Sequence, residues 1–172
     1  MRDTYLEENG NTIPNCWRYK MGKYAANTSV SSELSRLEIE RTLIRYGADN
    51  FAYAASNGKA LIGFTMYDRQ IKFVLTLPCK EEFSKTPTGR ERSENSQYEA
   101  WEQACRQRWR ALNLVIKAKL EAVECGISVF EDEFMSNIVL PGGQTVGDFM
   151  KPQIEQAYIS GDVPKLLPGL GG

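Results

Sequence analysis

Arg106, Arg108 and Arg110 stud the first half of a long helical pattern, and a Pro/Gly turn that carries Lys85, Arg90 and Arg92 (Thr86-Pro87-Thr88-Gly89 lies between) comes before it. Backbone N–H groups at a helix N-terminus and arginine forks both suit phosphate oxygens, so these cations predict an anion site. Trp101 and Trp109, two turns apart, have the spacing to stack on a base. The predicted anion or nucleic-acid site is therefore Lys85, Arg90, Arg92, Trp101, Arg106, Arg108, Trp109 and Arg110. The opposing reading packs both tryptophans against a sheet and pairs the arginines with Glu99, Glu102 or another helix. Cations alone do not name the anion.

The chain has no histidine. That removes Ser-His-Asp and Cys-His nucleophile activation, imidazole general bases and zinc sites built on imidazole. Cys16, Cys79, Cys105 and Cys125 include no Cys-x-x-Cys pair and read as packing residues in a reducing compartment. Glu131, Asp132 and Glu133 are consecutive on a helical pattern and point about 100° apart, so they read as a solvated face, with no convergence on one ion. Gly142 and Gly143 follow a proline and lack the Lys-Ser/Thr of a phosphate loop. No catalytic residue, metal ligand or cofactor is assigned, and a non-enzymatic binding protein is expected.

The elements that must carry these residues follow from period and punctuation. Met1 to Thr28 mixes turn formers with isolated aromatics and reads as an irregular extension that folds back through Trp17. A helix is predicted from about Ser31 to Tyr46, with Leu34, Leu37, Leu43 and Ile44 on one face, Ile39 widening it and Gly47 ending it. Phe51 to Ala55, Ala60 to Tyr67 and Ile71 to Leu77 alternate as strands of a meander, with Asn57-Gly58 as the first turn and Asp68-Arg69 as the second. Ser93 or Ser96 caps a long helix that runs to Cys125 and spans about 45 Å if unbroken. On it Arg106, Arg110, Asn113, Lys117, Glu121 and Glu124 form a polar stripe, while Leu112, Val115, Ile116, Leu120 and Val123 fill the broad buried side. Phe130 and Phe134 mark a short acidic helix. A last helix begins at Thr145, carries Val146, Phe149, Met150, Ile154 and Tyr158, and ends at Gly161. The tail holds Leu166, Leu167 and Leu170 between prolines and glycines.

The fold class is accordingly α+β: an N-terminal helix, a three-stranded antiparallel meander, a long helix packed on the sheet and two shorter C-terminal helices. At 172 residues, 42% hydrophobic and 25% charged, residues 29–172 are expected to form one domain of ordinary soluble composition, with 1–28 as the extension. No apolar run approaches the roughly 20 residues of a membrane helix, and the polar start lacks a signal core, which predicts no membrane partner and a cytoplasmic location. The net charge of -1 is unevenly spread. Residues 1–79 carry ten basic and eight acidic side chains, 80–119 nine and six, and 120–172 two and eight. A protein whose whole surface tracked a nucleic-acid backbone would be more basic; the acidic C-terminal third suits a partner protein.

Two resemblances add expectations. The order helix, three strands, helix, with Gln70-Ile71-Lys72 on the third strand, resembles the core of PD-(D/E)xK nucleases, in which strand carboxylates hold Mg²⁺ and the lysine helps activate water. Asp68 lies only two residues before Gln70, too close for the usual spacing, and Glu38 and Glu40 are the only helix carboxylates to complete such a site. Arg106 to Gly126, Phe130-Glu131-Asp132-Glu133-Phe134, Leu140-Pro141-Gly142-Gly143 and Pro164 to Pro168 resemble a group of small uncharacterised proteins encoded by bacteriophages and prophages, over roughly Ser31 to Pro168. That resemblance implies a phage setting, the host cytoplasm and a role in DNA metabolism or in countering host defence. It transfers no catalytic residue. Three functions follow as expectations: engagement of nucleic acid or a nucleotide through the basic loop and helix start, inhibition of a host defence protein through the acidic third or the leucine tail, and metal-dependent nuclease activity of PD-(D/E)xK type. The surplus of apolar side chains over what three short strands can cover also predicts a homodimer through the long helix or the tail.

Overall fold

The computed structural model describes residues 22–56 and 58–161. Its elements are α1 (Ser32–Arg45), β1 (Asp49–Ser56), β2 (Lys59–Met66), β3 (Arg69–Thr76), α2 (Glu94–Glu124), α3 (Phe130–Phe134) and α4 (Val146–Ser160), with 3-10 turns at Lys80–Phe83 and Met135–Asn137. The three strands form one antiparallel sheet in the order β1-β2-β3, so the α+β class and its element order are as the periodicity predicts. Trp17 and the leucines at 166, 167 and 170 lie outside the described residues. Among the described residues no helix is long and apolar enough to cross a membrane.

The longer helices start or stop for local reasons. The Ser31 hydroxyl accepts from the Leu34 N–H at 3.1 Å and opens α1. Gly126 (φ 69°) ends α2 in the left-handed region, which lets the N–H groups of Ile127 and Ser128 turn back to the Ala122 carbonyl at 2.9 and 3.2 Å. Thr145 caps α4 by accepting from the Asp148 N–H at 3.1 Å.

Three details depart from the periodic reading. The second meander turn is one residue earlier than expected, at Tyr67 (φ 49°) and Asp68 (φ 58°), a left-handed pair that matches the twist of a tight hairpin. On α1 the buried face is Ser35, Ile39, Thr42 and Leu43, while Leu34, Leu37 and Ile44 are exposed. Ser35 tolerates burial because its hydroxyl donates to the Ser31 carbonyl at 3.0 Å, so small hydroxyl residues take places the pattern reserves for leucines. On α2 the buried residues include Cys105, Trp109, Asn113, Ile116 and Leu120 at steps of three and four, so Asn113 belongs to the buried stripe, and Val115 to the exposed side.

Two compact units divide the chain, and the longer elements contribute to both. The first comprises described residues up to Arg41, Ala55–Ala60 and Leu75–Ile116. In it Gln103 Nε2 donates to the carbonyls of Ala26 (2.9 Å) and Thr28 (3.1 Å), and Gln107 Nε2 donates to those of Gly22 and Tyr24. Two glutamines one turn apart thus hold residues 22–28, the described end of the irregular extension, on α2. Gln107 is 2% exposed, and it pairs its buried donor as burial requires.

The second unit comprises Thr42–Ala54, Leu61–Val74 and described residues from Lys117 onward. Its core is aromatic. Phe134 meets Phe64 and Phe73 edge-on, both at 6.3 Å, and stacks on Phe130 at 4.8 Å. Lys119 donates to the Glu133 carbonyl, pairs with the Glu133 carboxylate at 3.5 Å and lies over the Phe134 ring, which ties α3 to α2. The outer edge of β3 is covered by Asn137–Thr145. Val139 N–H donates to the Gln70 carbonyl at 2.8 Å, and Asn137 Nδ2 to that of Lys72 at 3.2 Å.

Candidate functional site

In the first unit, residues Ser84–Arg92 form a tight hairpin. Lys85 and Glu91 pair across it, Thr86 N–H donates to the Arg90 carbonyl at 2.8 Å, and Arg92 N–H to that of Ser84 at 2.8 Å. Arg92 Nη1 caps the carbonyls of Phe83 (3.2 Å) and Lys85 (2.7 Å), so its guanidinium shapes the loop. Lys85 makes an exposed ion pair with Glu91 at 3.7 Å. Arg90 is exposed, and its guanidinium forms no hydrogen bond or ion pair among the described residues.

The arginines of α2 are engaged elsewhere. Arg106 binds Glu102 at 3.1 Å and the Gln103 amide oxygen at 2.7 Å, both on its own helix. Arg108 donates to the Thr76 carbonyl at the end of β3, and Arg110 pairs with Glu38 of α1. Trp109 is 3% exposed and belongs to the core, so it offers no face to a base. Trp101 is half-buried, donates its indole N–H to the Pro78 carbonyl at 2.8 Å and leans on Tyr98. The eight residues therefore do not converge. Of the six cations, Lys85 and Arg90 extend from the hairpin, Arg92 and Arg106 bond within their own segments, and Arg108 and Arg110 tie α2 to the end of β3 and to α1. From Lys80 to Glu99 the cations Lys80, Lys85, Arg90 and Arg92 are matched by Glu81, Glu82, Glu91, Glu94 and Glu99, so the segment is not basic on balance.

A cleft of about 450 Å³ in this unit is walled by Leu75, Ala111, Leu112 and Val115, with Tyr24 and Arg108 at its polar side. Sequence reasoning missed it because no motif marks it: apolar residues of α2 line it beside the strand end.

Two of the nuclease-like residues are already engaged. Lys72 Nζ donates to the Gly143 carbonyl at 2.7 Å, Glu38 pairs with Arg110, and Asp68 sits in the left-handed turn. No group of three or more His, Cys, Asp or Glu side chains among the described residues is placed to hold a metal ion. Of the thiols, Cys105 is buried, and that burial pushes its pKa up to about 11; Cys125 is exposed. At pH 8 only about one in a thousand such buried thiols is ionised, so a thiol reagent is expected to modify Cys125 quickly and Cys105 only on unfolding. Mass spectrometry of the folded protein checks this, and equal labelling of the two would refute it.

The second unit holds a different arrangement. A cleft of about 410 Å³ lies among Tyr67, Val123, Gly126, Ser128, Val129, Phe130 and Glu131. The Tyr67 ring, on the left-handed turn, meets Phe130 edge-on at 5.0 Å and makes an aromatic wall. Glu131 lines the same cleft, and its carboxylate forms no hydrogen bond or ion pair among the described residues. Ile127 (81% exposed) and Val129 (58%) lie in the α2–α3 link beside it in sequence.

α4 belongs to this unit and has no buried residue. Its first turn is held closely: a Cβ on Gly147 would stand 2.8 Å from the Ser136 carbonyl oxygen. Beyond that turn Met150, Gln153 and Ala157 are half-buried, while Phe149 at 40%, Ile154 at 48% and Tyr158 at 89% exposure, with Ile159 at 80% beside it, are open. Pro152, inside the helix, removes one backbone donor as well. No protein-family model, curated protein or solved structure matches the chain.

Proposed function

We propose that this is a non-catalytic binding protein that engages a protein partner through its second unit. The observation that carries the reading is α4. A 15-residue helix whose inner stripe (Val146, Met150, Ala157) is only half-buried has little packing to stabilise it in water, yet it displays Phe149, Ile154, Tyr158 and Ile159. Exposed apolar surface of that kind marks a contact, and its occupant supplies the burial the helix lacks. The acidic excess of residues 120–172 favours a basic partner and disfavours nucleic acid. In the phage setting that the sequence resemblance implies, the partner is a host protein and the role is to counter host defence. Engagement of nucleic acid or a nucleotide is the weaker reading, because it now rests on Lys85 and Arg90.

The test is capture from host lysate treated with nuclease, using the parent and the double variant Ile154→Asp/Tyr158→Asp. The expected result is a stoichiometric protein held by the parent and released by the variant, with both melting alike. Recovery of nucleic acid that Lys85→Ala/Arg90→Ala abolishes would move the function to the hairpin. Light scattering identifies a second copy of the chain as the occupant if the parent has twice the mass of the variant.

A further inference from the structure

The cleft of the second unit has a chemistry that narrows the partner. It combines an aromatic wall, Tyr67 against Phe130, aliphatic sides from Val123 and Val129, and the Glu131 carboxylate. The neighbouring carboxylate is placed differently: Glu133 is held by Lys119 at 3.5 Å, whereas Glu131 has no cation among the described residues. A pocket that is apolar along its walls and anionic at one point fits a side chain with an apolar stem and a cationic head. A guanidinium suits it better than an ammonium, because its plane stacks on aromatic rings and its fork matches a carboxylate. The volume of about 410 Å³ accommodates one such side chain together with part of an adjacent aliphatic residue. The exposed Val129, which lines the cleft, offers apolar contact to a residue beside it.

We infer that this cleft receives an arginine side chain from a partner protein, within a segment where the arginine is flanked by aliphatic residues. The inference rests on the reading of the second unit as a protein-contact surface and adds the identity of the group that enters it. Glu131 then pairs with the guanidinium, Tyr67 and Phe130 contact its plane and stem, and Val129 contacts the flanking aliphatic side chain.

The experiment uses the full chain labelled with ¹⁵N and the blocked peptide acetyl-Gly-Leu-Arg-Leu-Gly-amide. Titration is expected to give saturable shifts centred on the amides of Tyr67, Ser128, Val129 and Glu131. A peptide with norleucine in place of arginine is expected to bind at least about tenfold more weakly, which corresponds to about 1.4 kcal/mol. Glu131→Arg is expected to weaken the arginine peptide at least as much while the remaining spectrum stays in place; Glu131→Gln, which keeps the shape, tests the charge alone. Shifts centred elsewhere, equal binding of the norleucine peptide, or unchanged affinity in Glu131→Gln and Glu131→Arg would each overturn the inference. The wider reading fails separately. A captured protein that is released by Ile154→Asp/Tyr158→Asp but held by Glu131→Arg leaves protein binding standing and removes the arginine. Peptide binding without any captured protein or self-association does the reverse.

Discussion

Truncating Phe134 to alanine is expected to destabilise the protein by about 3–5 kcal/mol, the range for deleting a fully buried aromatic ring. Phe134 has 0% exposure and touches three other phenyl rings, and Lys119 lies 5.6 Å from its centroid. α3 is only five residues long, too short to persist on backbone hydrogen bonds, so its place depends on that ring. The 3-10 turn that follows carries the first turn of α4 against Ser136, and loss of the ring loosens both. Against a typical total of about 5–15 kcal/mol the change is large. Urea unfolding of parent and variant measures it through the midpoint at constant slope, and Phe134→Leu should recover a good part. A loss below about 1.5 kcal/mol would show that the aromatic cluster closes over the gap, contrary to the close packing expected of a core.

Strand pattern and helix ends were legible because they depend on local physics. Ala60, Ile62, Phe64 and Met66 alternate and are all buried, and Gly47, Gly126 and Gly161 stop the helices at the expected places. Helix faces were less legible. Counting apolar residues puts Leu34, Leu37 and Ile44 inside, but the phase of α1 is set by what it packs on, and a serine with a satisfied hydroxyl fits a close approach that a leucine would block. α4 shows the same limit from the other side: Phe149, Ile154 and Tyr158 are at helical spacing and remain exposed.

The arginines of the candidate site read two ways in the sequence, as an anion site or as partners of carboxylates and of another helix, and the local pattern does not choose between them. Arg106, Arg108 and Arg110 suggest an anion, yet Glu102, the Thr76 carbonyl and Glu38 answer them, and two of those partners are far away in sequence. Glu131 was passed over because consecutive acids on a helix are usually a solvated face. Its distinction from Glu133 comes from Lys119, one helix back, and from a tyrosine on a hairpin turn, and neither neighbour is visible in the local pattern. Gln103 and Gln107 had no motif at all, although their spacing of four on one helix face is the sort of signal that would find a clamp on an extended segment.

Asn113 is the position where a substitution should strengthen the protein. It is 4% exposed, sits on the buried stripe between Trp109 and Ile116, and its side-chain oxygen has no hydrogen-bond partner among the described residues. A buried acceptor left unmatched forfeits about 1–3 kcal/mol of solvation that folding does not return. Leucine has the same branching at Cγ, places carbon where the amide oxygen and nitrogen lie, and has the higher helix propensity. Asn113→Leu is therefore expected to stabilise the chain by about 1–2 kcal/mol, a rise in melting temperature of about 2–8 °C for a chain of this size. Asn113→Asp reverses the sign, since it buries a charge where the oxygen already lacks a donor. If Asn113→Leu melts below the parent, the amide oxygen has a donor in solution, a bound water or a ligand that reaches the helix from outside, and the middle of α2 becomes a site to be mapped.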